Sequence, residues 1–397
     1  MTKRLPQLAD KHDCTGCMAC VGACRVGALT MQMRVDGHGY PSLDAKKCVN
    51  CLSCENVCQS IKRFKGCNDL NLSKPYAVWA NDDQLRFYST SGGFAAAVSK
   101  SVVEKGDGVV GVSFDGRKAS HIFVENVDDI KQLQGSKYVW SDASAAYQII
   151  SDNLFKRRVL FIGTGCQVAG VLSCFTNHPN RERLYTIDLI CGGVPSDLLM
   201  EIYRKEHPEI EAISSFRTKR IYEMKGIIDG EEIVLPKKSL PLMGFCAEQT
   251  MRYICYDCPF SFAHRHSDIT IGDLWGESAP VEQREKGVSL VIAHTKKGRQ
   301  LIQEADVTIR TLEWRDILAS NKRLVYGHTP MTCLRKNLVY NYIRKDATAF
   351  ARLYGFTSSP KHIGGFIMRV WYYLRRKVEE KKSRIAISKL LSKSANK

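Results

Sequence analysis

The stretch Cys14-Thr15-Gly16-Cys17-Met18-Ala19-Cys20-Val21-Gly22-Ala23-Cys24 carries four cysteines in the spacing C-x2-C-x2-C-x3-C. A second run, Cys48, Cys51, Cys54 and Cys58, repeats that spacing about 34 residues later. A 4Fe-4S cluster needs four thiolates converging on a small cube. Three come from one tight loop, and the last cysteine of each run ligates the cluster of the other. The spacing predicts one cluster on Cys14, Cys17, Cys20 and Cys58, and a second on Cys48, Cys51, Cys54 and Cys24. Structural zinc is the competing reading, but zinc sites usually pair C-x2-C elements across a spacer. So small a module has little core of its own, so metal binding should supply much of its folding energy. Cys67 lies outside both runs.

Working outward, residues 10–62 resemble bacterial two-cluster ferredoxins. They lack the usual proline after each run, where Arg25 and Gln59 stand instead. The whole chain has 397 residues, 44% hydrophobic and 25% charged, enough for two or three soluble domains. Its sixteen cysteines cluster, and "MTKRLPQLADKHD" has no apolar signal core. A reducing, cytoplasmic setting is expected rather than a disulfide scaffold. No run reaches membrane-spanning length. The formal charge of +17 suggests a polyanionic partner. Three dianionic clusters and one dianionic flavin would reduce it to about +9, so much of the excess compensates bound anions. No recognition-helix, zinc-finger or RNA-binding signature is present, and a nucleic-acid partner is not expected.

From Pro75 the pattern changes. "STSGGFAAAVSKSVVEKGDGVVGVSFD" predicts a glycine turn, a helix over 93–105 and a strand over 108–114. "ASAAYQIISDNLFKRRVLFIGTGCQVAGVL" predicts a helix, a strand at 158–162, a glycine turn and another helix, and "RLYTIDLICGG" a further strand. "AISSFRTKR", "MKGIID" and "EEIVLP" read as an antiparallel β insertion, and "SDITIGDLWG" and "VSLVIAHT" as strands. The expectation is an α+β ferredoxin-like N-terminal domain, followed by an α/β domain with a β insertion. Its boundaries are 1–70 for the two-cluster domain, 75–340 for the oxidoreductase domain and 341–397 for a basic helical extension.

Two glycine turns, Ser91-Gly92-Gly93 and Gly163-Thr164-Gly165, precede helices. Bare amides at helix starts favour phosphate oxygens, although neither turn is a full dinucleotide fingerprint and an ordinary helix start is the plainer reading. Lys137 offers a cation to a phosphate or is a solvated surface lysine. Cys166, Cys191, Cys255 and Cys258 fall at strand ends and turns, where an open sheet can bring them to one crevice. Buried inert thiols remain the alternative for the first two, and a dithiol or metal half-site for the pair.

"STSGGFAAAV", "GSKYV", "GTGCQVAGV", "CGGVPS", "CYDCPF" and "SDITIGDLWG" occur in that order across residues 89–276. Together they resemble the coenzyme F420 hydrogenase/dehydrogenase beta-subunit family. The resemblance implies an α/β flavin-binding domain, with FAD and a third 4Fe-4S cluster beside it, the cluster's ligands falling on Cys166, Cys191, Cys255 and Cys258. It implies FAD contacts at Ser91, Gly92, Gly93, Lys137, Gly163 and Thr164. Asp273 would orient the cluster loop or a flavin edge, or simply cap a turn. Cys174, Cys246 and Cys333 have no partner in this scheme, and Cys246 is the reserve ligand. His264 and His266 lie close in sequence to the C-x2-C pair, either as polar loop residues or as half of a zinc array.

The implied function is an iron–sulfur flavoprotein oxidoreductase. It would move electrons between FAD, where a hydride-exchanging substrate or coenzyme reacts, and the N-terminal clusters. A small-molecule substrate and an electron-transfer protein or redox-complex subunit are its expected partners. The alternatives are an electron-relay subunit of a larger complex and a non-catalytic metal-bearing module. Residues 366–397 hold ten Lys/Arg and two acidic residues. Phe366, Val370, Trp371 and Leu374 recur there at helical spacing, as do Ile385 and Leu390, whereas Arg369 excludes a simple spanning helix. Such a basic tail suits peripheral contact with the inner face of a membrane, an acidic redox partner, or packing on its own domain.

Overall fold

A computed structural model of the protein describes residues 4–62, 68–219, 221–236, 239–321 and 323–327, with residues 339, 341, 343 and 345. Cys67, Cys333 and the amphipathic tail 366–397 lie outside the described residues.

The cysteine-rich segment contains one hairpin, β1 (Leu29–Met33) and β2 (Gly39–Leu43), paired antiparallel from Leu29↔Leu43 to Met33↔Gly39. Its internal repeat is visible in the backbone. One-turn helices Ala19–Gly22 and Ser53–Asn56 follow Met18 and Leu52, which both adopt left-handed φ, at 63° and 60°. Each such residue lies between the second and third cysteines of its run, where the loop must curl tightly.

The remaining strands are β3 (Lys74–Ala80), β4 (Gly108–Phe114), β5 (Ala119–Val124), β6 (Ser141–Asp142), β7 (Val159–Thr164), β8 (Leu184–Leu189), β9 (Ala212–Arg217), β10 (Tyr222–Ile228), β11 (Glu231–Val234), β12 (Ile269–Asp273), β13 (Ser289–Ala293) and β14 (Val307–Thr311). Nine of them form one sheet in the order β14-β3-β13-β12-β8-β7-β4-β5-β6. Its centre, β12-β8-β7-β4, is parallel; β4-β5 and the β12-β13-β3-β14 side are antiparallel. Strands β9, β10 and β11 form the separate antiparallel insertion.

Residue alternation explains the layers. Val78, Val109, Leu160, Ile187 and Val291 face a core shared with the helices Phe94–Glu104 and Lys296–Glu304. The intervening Val110, Val159 and Phe161 face the opposite side, against the helices Ser144–Leu154 and Gly165–Cys174. Cys17, Met18 and Ala19 join that second core. The cysteine module is therefore seated on one helical layer of the sheet. Each fully buried aliphatic side chain contributes about 1.5–3 kcal/mol.

The predicted helix over 93–105 spans Phe94–Glu104, and the strand over 108–114 has those bounds. The strand expected at 158–162 runs from Val159 to Thr164, carrying the glycine turn into the sheet. The expectation of an α/β sheet needs one change: the sheet is mixed. Among the described residues no helix is long and apolar enough to cross a membrane.

Candidate functional site

The site begins where the parallel strands end, the usual place for ligands in open α/β sheets. The carboxyl ends of β4, β7, β8 and β12 border a cavity of about 320 Å³, with Gly111, Thr164, Cys191 and Asp273 among its lining residues. Ser91, Gly93, Lys137 and Gly163 also line it. Five of the six residues implied to contact a flavin, the four just given and Thr164, thus meet in one space. Gly92 does not. A Cβ there would stand 2.5 Å from both the Ser289 nitrogen and the Val78 oxygen, so Gly92 serves the close packing of its turn on β3 and β13.

Gly93, at φ 85°, caps the helix Phe94–Glu104 with no side-chain cap, and Phe94, Ala95 and Ala96 of the first turn line the cavity. The second glycine turn differs. Thr164 and Gln167 form a capping box at the start of the helix Gly165–Cys174, and the Thr164 hydroxyl lies 3.3 Å from the Cys166 sulfur. Lys137 Nζ donates to the Leu133 and Gln134 carbonyls at 2.9 and 2.7 Å. Burial pushes its ammonium down to about 7.

Three cations absent from the sequence reading organise this cavity and its surroundings. Arg217, on β9, pairs with Asp273 at 2.8 Å and stacks over Tyr222 and Trp275. It also donates to the Thr90 carbonyl at 3.1 Å. Lys219 Nζ donates to the Ser89 and Ser91 carbonyls at 3.0 and 3.1 Å. The β insertion thus pins the loop that leads into Gly93, and Asp273 has a charge partner rather than a turn-capping role. Arg265 pairs with Asp188 at 3.3 Å, both side chains 2% exposed. No periodicity marks these residues, because their burial depends on the insertion and on loops that fold back over the sheet.

Cys191 follows β8 and accepts the Gly193 N–H at 3.3 Å. The chain then pairs with the segment before Cys255: Pro195 bridges Met251, and Arg252 N–H donates to the Val194 carbonyl at 2.9 Å. This brings Cys255 and Cys258 towards Cys191 and Cys166. Burial pushes the Cys166 thiol well up, and Cys258, Cys17 and Cys191 add to it through space. Burial likewise raises Cys258 to about 12, with Cys255 next in effect. The four dispersed cysteines are neighbours, and Cys17 links them to the first run.

The first run closes on itself with the end of the second. Cys14, Cys17, Cys20 and Cys58 line a small cavity of about 20 Å³. Burial lifts Cys14 to about 11, while the Arg252 guanidinium pulls it back. Cys24 and Cys51 act through space on Cys54. Backbone N–H groups of Ala28 and Asn50 reach the Cys24 and Cys48 sulfurs at 3.3 and 3.4 Å. Cys51 is exposed, whereas Cys14 and Cys17 are buried. Among the described residues no cysteine forms a disulfide, and no three His, Cys, Asp or Glu side chains close to the span of a single ion. Thiolates around a shared four-iron cube stand farther apart than around one metal. Cys174 lies beside Cys17 but outside these groups, and Cys246 is exposed at the end of the helix Leu240–Cys246.

A family model described as 4Fe-4S dicluster domain matches residues 13–60. The coenzyme F420-dependent sulfite reductase of Methanocaldococcus jannaschii is 23% identical over 325 residues, covering 75% of this chain and 47% of that protein. The chain thus spans about half the length of that curated relative. A chain from the solved F420-reducing NiFe hydrogenase complex of Methanosarcina barkeri aligns with a TM-score of 0.49 at 16% identity, covering 69% of this chain and 94% of that one. Models of the coenzyme F420 hydrogenase/dehydrogenase beta subunit match residues 75–148 with its N-terminal part and 156–317 with its C terminus. Together these two matches cover more than half of the sequence, and the chain belongs to the coenzyme F420 hydrogenase/dehydrogenase beta-subunit family.

Proposed function

We propose that the chain is an FAD- and iron–sulfur-dependent oxidoreductase that exchanges electrons between a hydride-transferring substrate or coenzyme and an external redox protein. The observation that carries this reading is the succession of sites. The strand-end cavity includes Cys191; Cys166 and Cys17 are electrostatic neighbours; the second run reaches the surface at Cys51. An unbroken series of thiol sites from cavity to surface is what single-electron transport needs, and a mere zinc scaffold does not.

In this reading Cys14, Cys17, Cys20 and Cys58 hold one 4Fe-4S cluster, Cys48, Cys51, Cys54 and Cys24 a second, and Cys166, Cys191, Cys255 and Cys258 a third. The four-sulfur cavity and the N–H groups directed at sulfur fit such groups. FAD fits the larger cavity, with the uncapped helix start after Gly93 and the cation at Lys137 suited to its phosphates. When bound, a flavin accepts an electron pair as hydride and releases electrons singly, while each cluster carries one. The chain's own side chains position these groups: Arg217 and Lys219 hold the 89–91 loop, and Asp273 holds Arg217. The domains are 1–70, 75–340 and 341–397, and the basic composition of the last suits a partner or the inner face of a membrane.

A second reading has the substrate site in another protein, leaving this chain as a relay subunit. It is favoured by the chain spanning 47% of the sulfite reductase it resembles. Anaerobic purification with iron, sulfide and flavin analysis tests the first reading. Reduction trials with the deazaflavin coenzyme, NADH, NADPH and reduced ferredoxin then separate the two. Flavin-free protein after reconstitution would sink the flavoenzyme reading and leave the relay.

A further inference from the structure

Arg252 is fully buried, at 0% exposure, three residues before Cys255. Its Nη1 donates to the Gly39 carbonyl at 2.9 Å, and its guanidinium lies over the rings of Tyr40 at 5.0 Å and Trp140 at 6.0 Å. Nε and Nη2 have no hydrogen-bond partner among the described residues. The nearby Asp36 is occupied instead by the Tyr40 hydroxyl, at 2.9 Å. Asp197 acts on Arg252 through space, but among the described residues no carboxylate pairs with it directly, and a buried guanidinium so placed is costly unless a further anion offsets it.

Its unpaired edge faces the first cysteine loop. A methyl group built on Gly16 would stand 2.7 Å from Nη2 and 3.1 Å from Nε, and Gly16 lines the cavity formed by Cys14, Cys17, Cys20 and Cys58. The glycine leaves room for the cation to approach the sulfurs. The dispersed cysteines have a different arrangement. Arg323 and Arg265 act on Cys191, and Arg265 on Cys258, but Glu248 pairs with Arg323 at 2.5 Å and Asp188 with Arg265 at 3.3 Å.

We propose that Arg252 sets the reduction potential of the cluster held by Cys14, Cys17, Cys20 and Cys58. This rests on the reading of those cysteines as cluster ligands. Reduction adds one electron to the cluster and takes one from an external reductant; no bond forms or breaks. The added negative charge is favoured by a fixed cation in a dry site. Arg252 therefore raises the potential of this cluster relative to the dispersed site, where carboxylates pair with both cations. It is a positioning and tuning residue, since it ligates nothing.

The test is a reductive titration of the full chain with dithionite under anaerobic conditions, followed by electron paramagnetic resonance. Wild type is compared with Arg252→Lys and Arg252→Gln. Iron and sulfide are counted in each sample. Reduction of one cluster should become at least tenfold less favourable in Arg252→Gln, a shift of about 59 mV for one electron. Arg252→Lys should stay within about threefold of wild type, and the other clusters should not move. Loss of one cluster from the glutamine variant alone also supports the assignment, because charge separates the two variants. An unchanged potential in fully loaded Arg252→Gln overturns it. Equal shifts, or equal cluster loss, in both variants overturn it too, since packing rather than charge would then be at work. Wild-type protein that takes up no iron or sulfide removes the ligand reading itself, a result separable by analysis from a mere failure of tuning.

Discussion

The Tyr147 hydroxyl donates to the Cys17 carbonyl at 2.7 Å, binding the helix Ser144–Leu154 to the first cysteine loop. Trp140 Nε1 makes a parallel contact with the Gly16 carbonyl at 3.2 Å. The loop that must present sulfurs is thus held from outside by the sheet's helical layer. Gly170 completes the seat: a Cβ there would come within 3.2 Å of the Cys17 sulfur.

Tyr147→Phe should therefore loosen the seat without emptying the core, because the ring remains. Leaving a buried carbonyl without its donor costs about 1–3 kcal/mol. Thermal or denaturant melting should show a loss in that range, and iron should leave the first loop faster under chelator challenge. Wild-type stability together with wild-type iron release would show that the bond does not hold the loop.

Asp273→Asn removes the charge partner of Arg217, whose side chain is 4% exposed. Breaking such a buried pair by removing one partner costs about 3–5 kcal/mol, and the partial exposure of Asp273 places this case at or below the lower end. The Asp273→Leu, Arg217→Met double variant should recover part of the loss, which a double-mutant cycle measures. Additive single effects would mean that the two residues act independently at the cavity wall.

The parallel strands and both glycine turns were legible because apolar runs and turn residues announce themselves locally. "VVGVSF" became β4, and "IGTG" fell at the end of β7. The repeated cysteine spacing likewise revealed the residues that line the small cavity. Strand β14 escaped notice: Val307–Thr311 is only five residues long and lies mostly exposed at the sheet edge. Arg252 and Arg265 were illegible for another reason. Arginine in a loop is ordinarily solvated. Only the return of the chain across Val194, and of β12 beside β8, buries these two. The close packing of Gly92 on Ser289 and Val78 was equally hidden, since it depends on strands far away in sequence.

Lys137 predicts a pH dependence. Burial lowers its ammonium to about 7 in the folded chain, whereas an unfolded lysine titrates near about 10.4. Between these values the unfolded chain binds more protons, so stability rises with pH; below about 7 the burial penalty is present in full. Lys137→Met should abolish that slope, as measured by denaturant unfolding at intervals from pH 6.5 to pH 10. An anionic ligand favours the charged form, so FAD affinity should fall as pH rises above 7 in wild type and stay flat in Lys137→Met. Equal pH profiles for the two proteins would remove Lys137 from the phosphate site.

Cys255→Ser distinguishes the dispersed site from the N-terminal pair. Serine oxygen is a hard ligand poorly matched to iron–sulfur chemistry, so the third cluster should be lost or altered. The eight cysteines of the two runs all precede residue 59 and should remain loaded. Anaerobic analysis should then give about eight irons and sulfides per chain instead of about twelve. FAD should still bind, because Cys255 does not line the strand-end cavity. Activity with a donor that reacts directly at flavin should survive in part. Exchange between flavin and the N-terminal pair should fall steeply, since the dispersed cysteines lie between the cavity, through Cys191, and the first run, through Cys166 and Cys17. Rapid-mixing spectroscopy follows flavin bleaching and cluster bleaching separately. If a folded variant lacking the third cluster still exchanges electrons at the wild-type rate, the first run must exchange with the flavin directly. The four dispersed cysteines would then serve structure rather than transport.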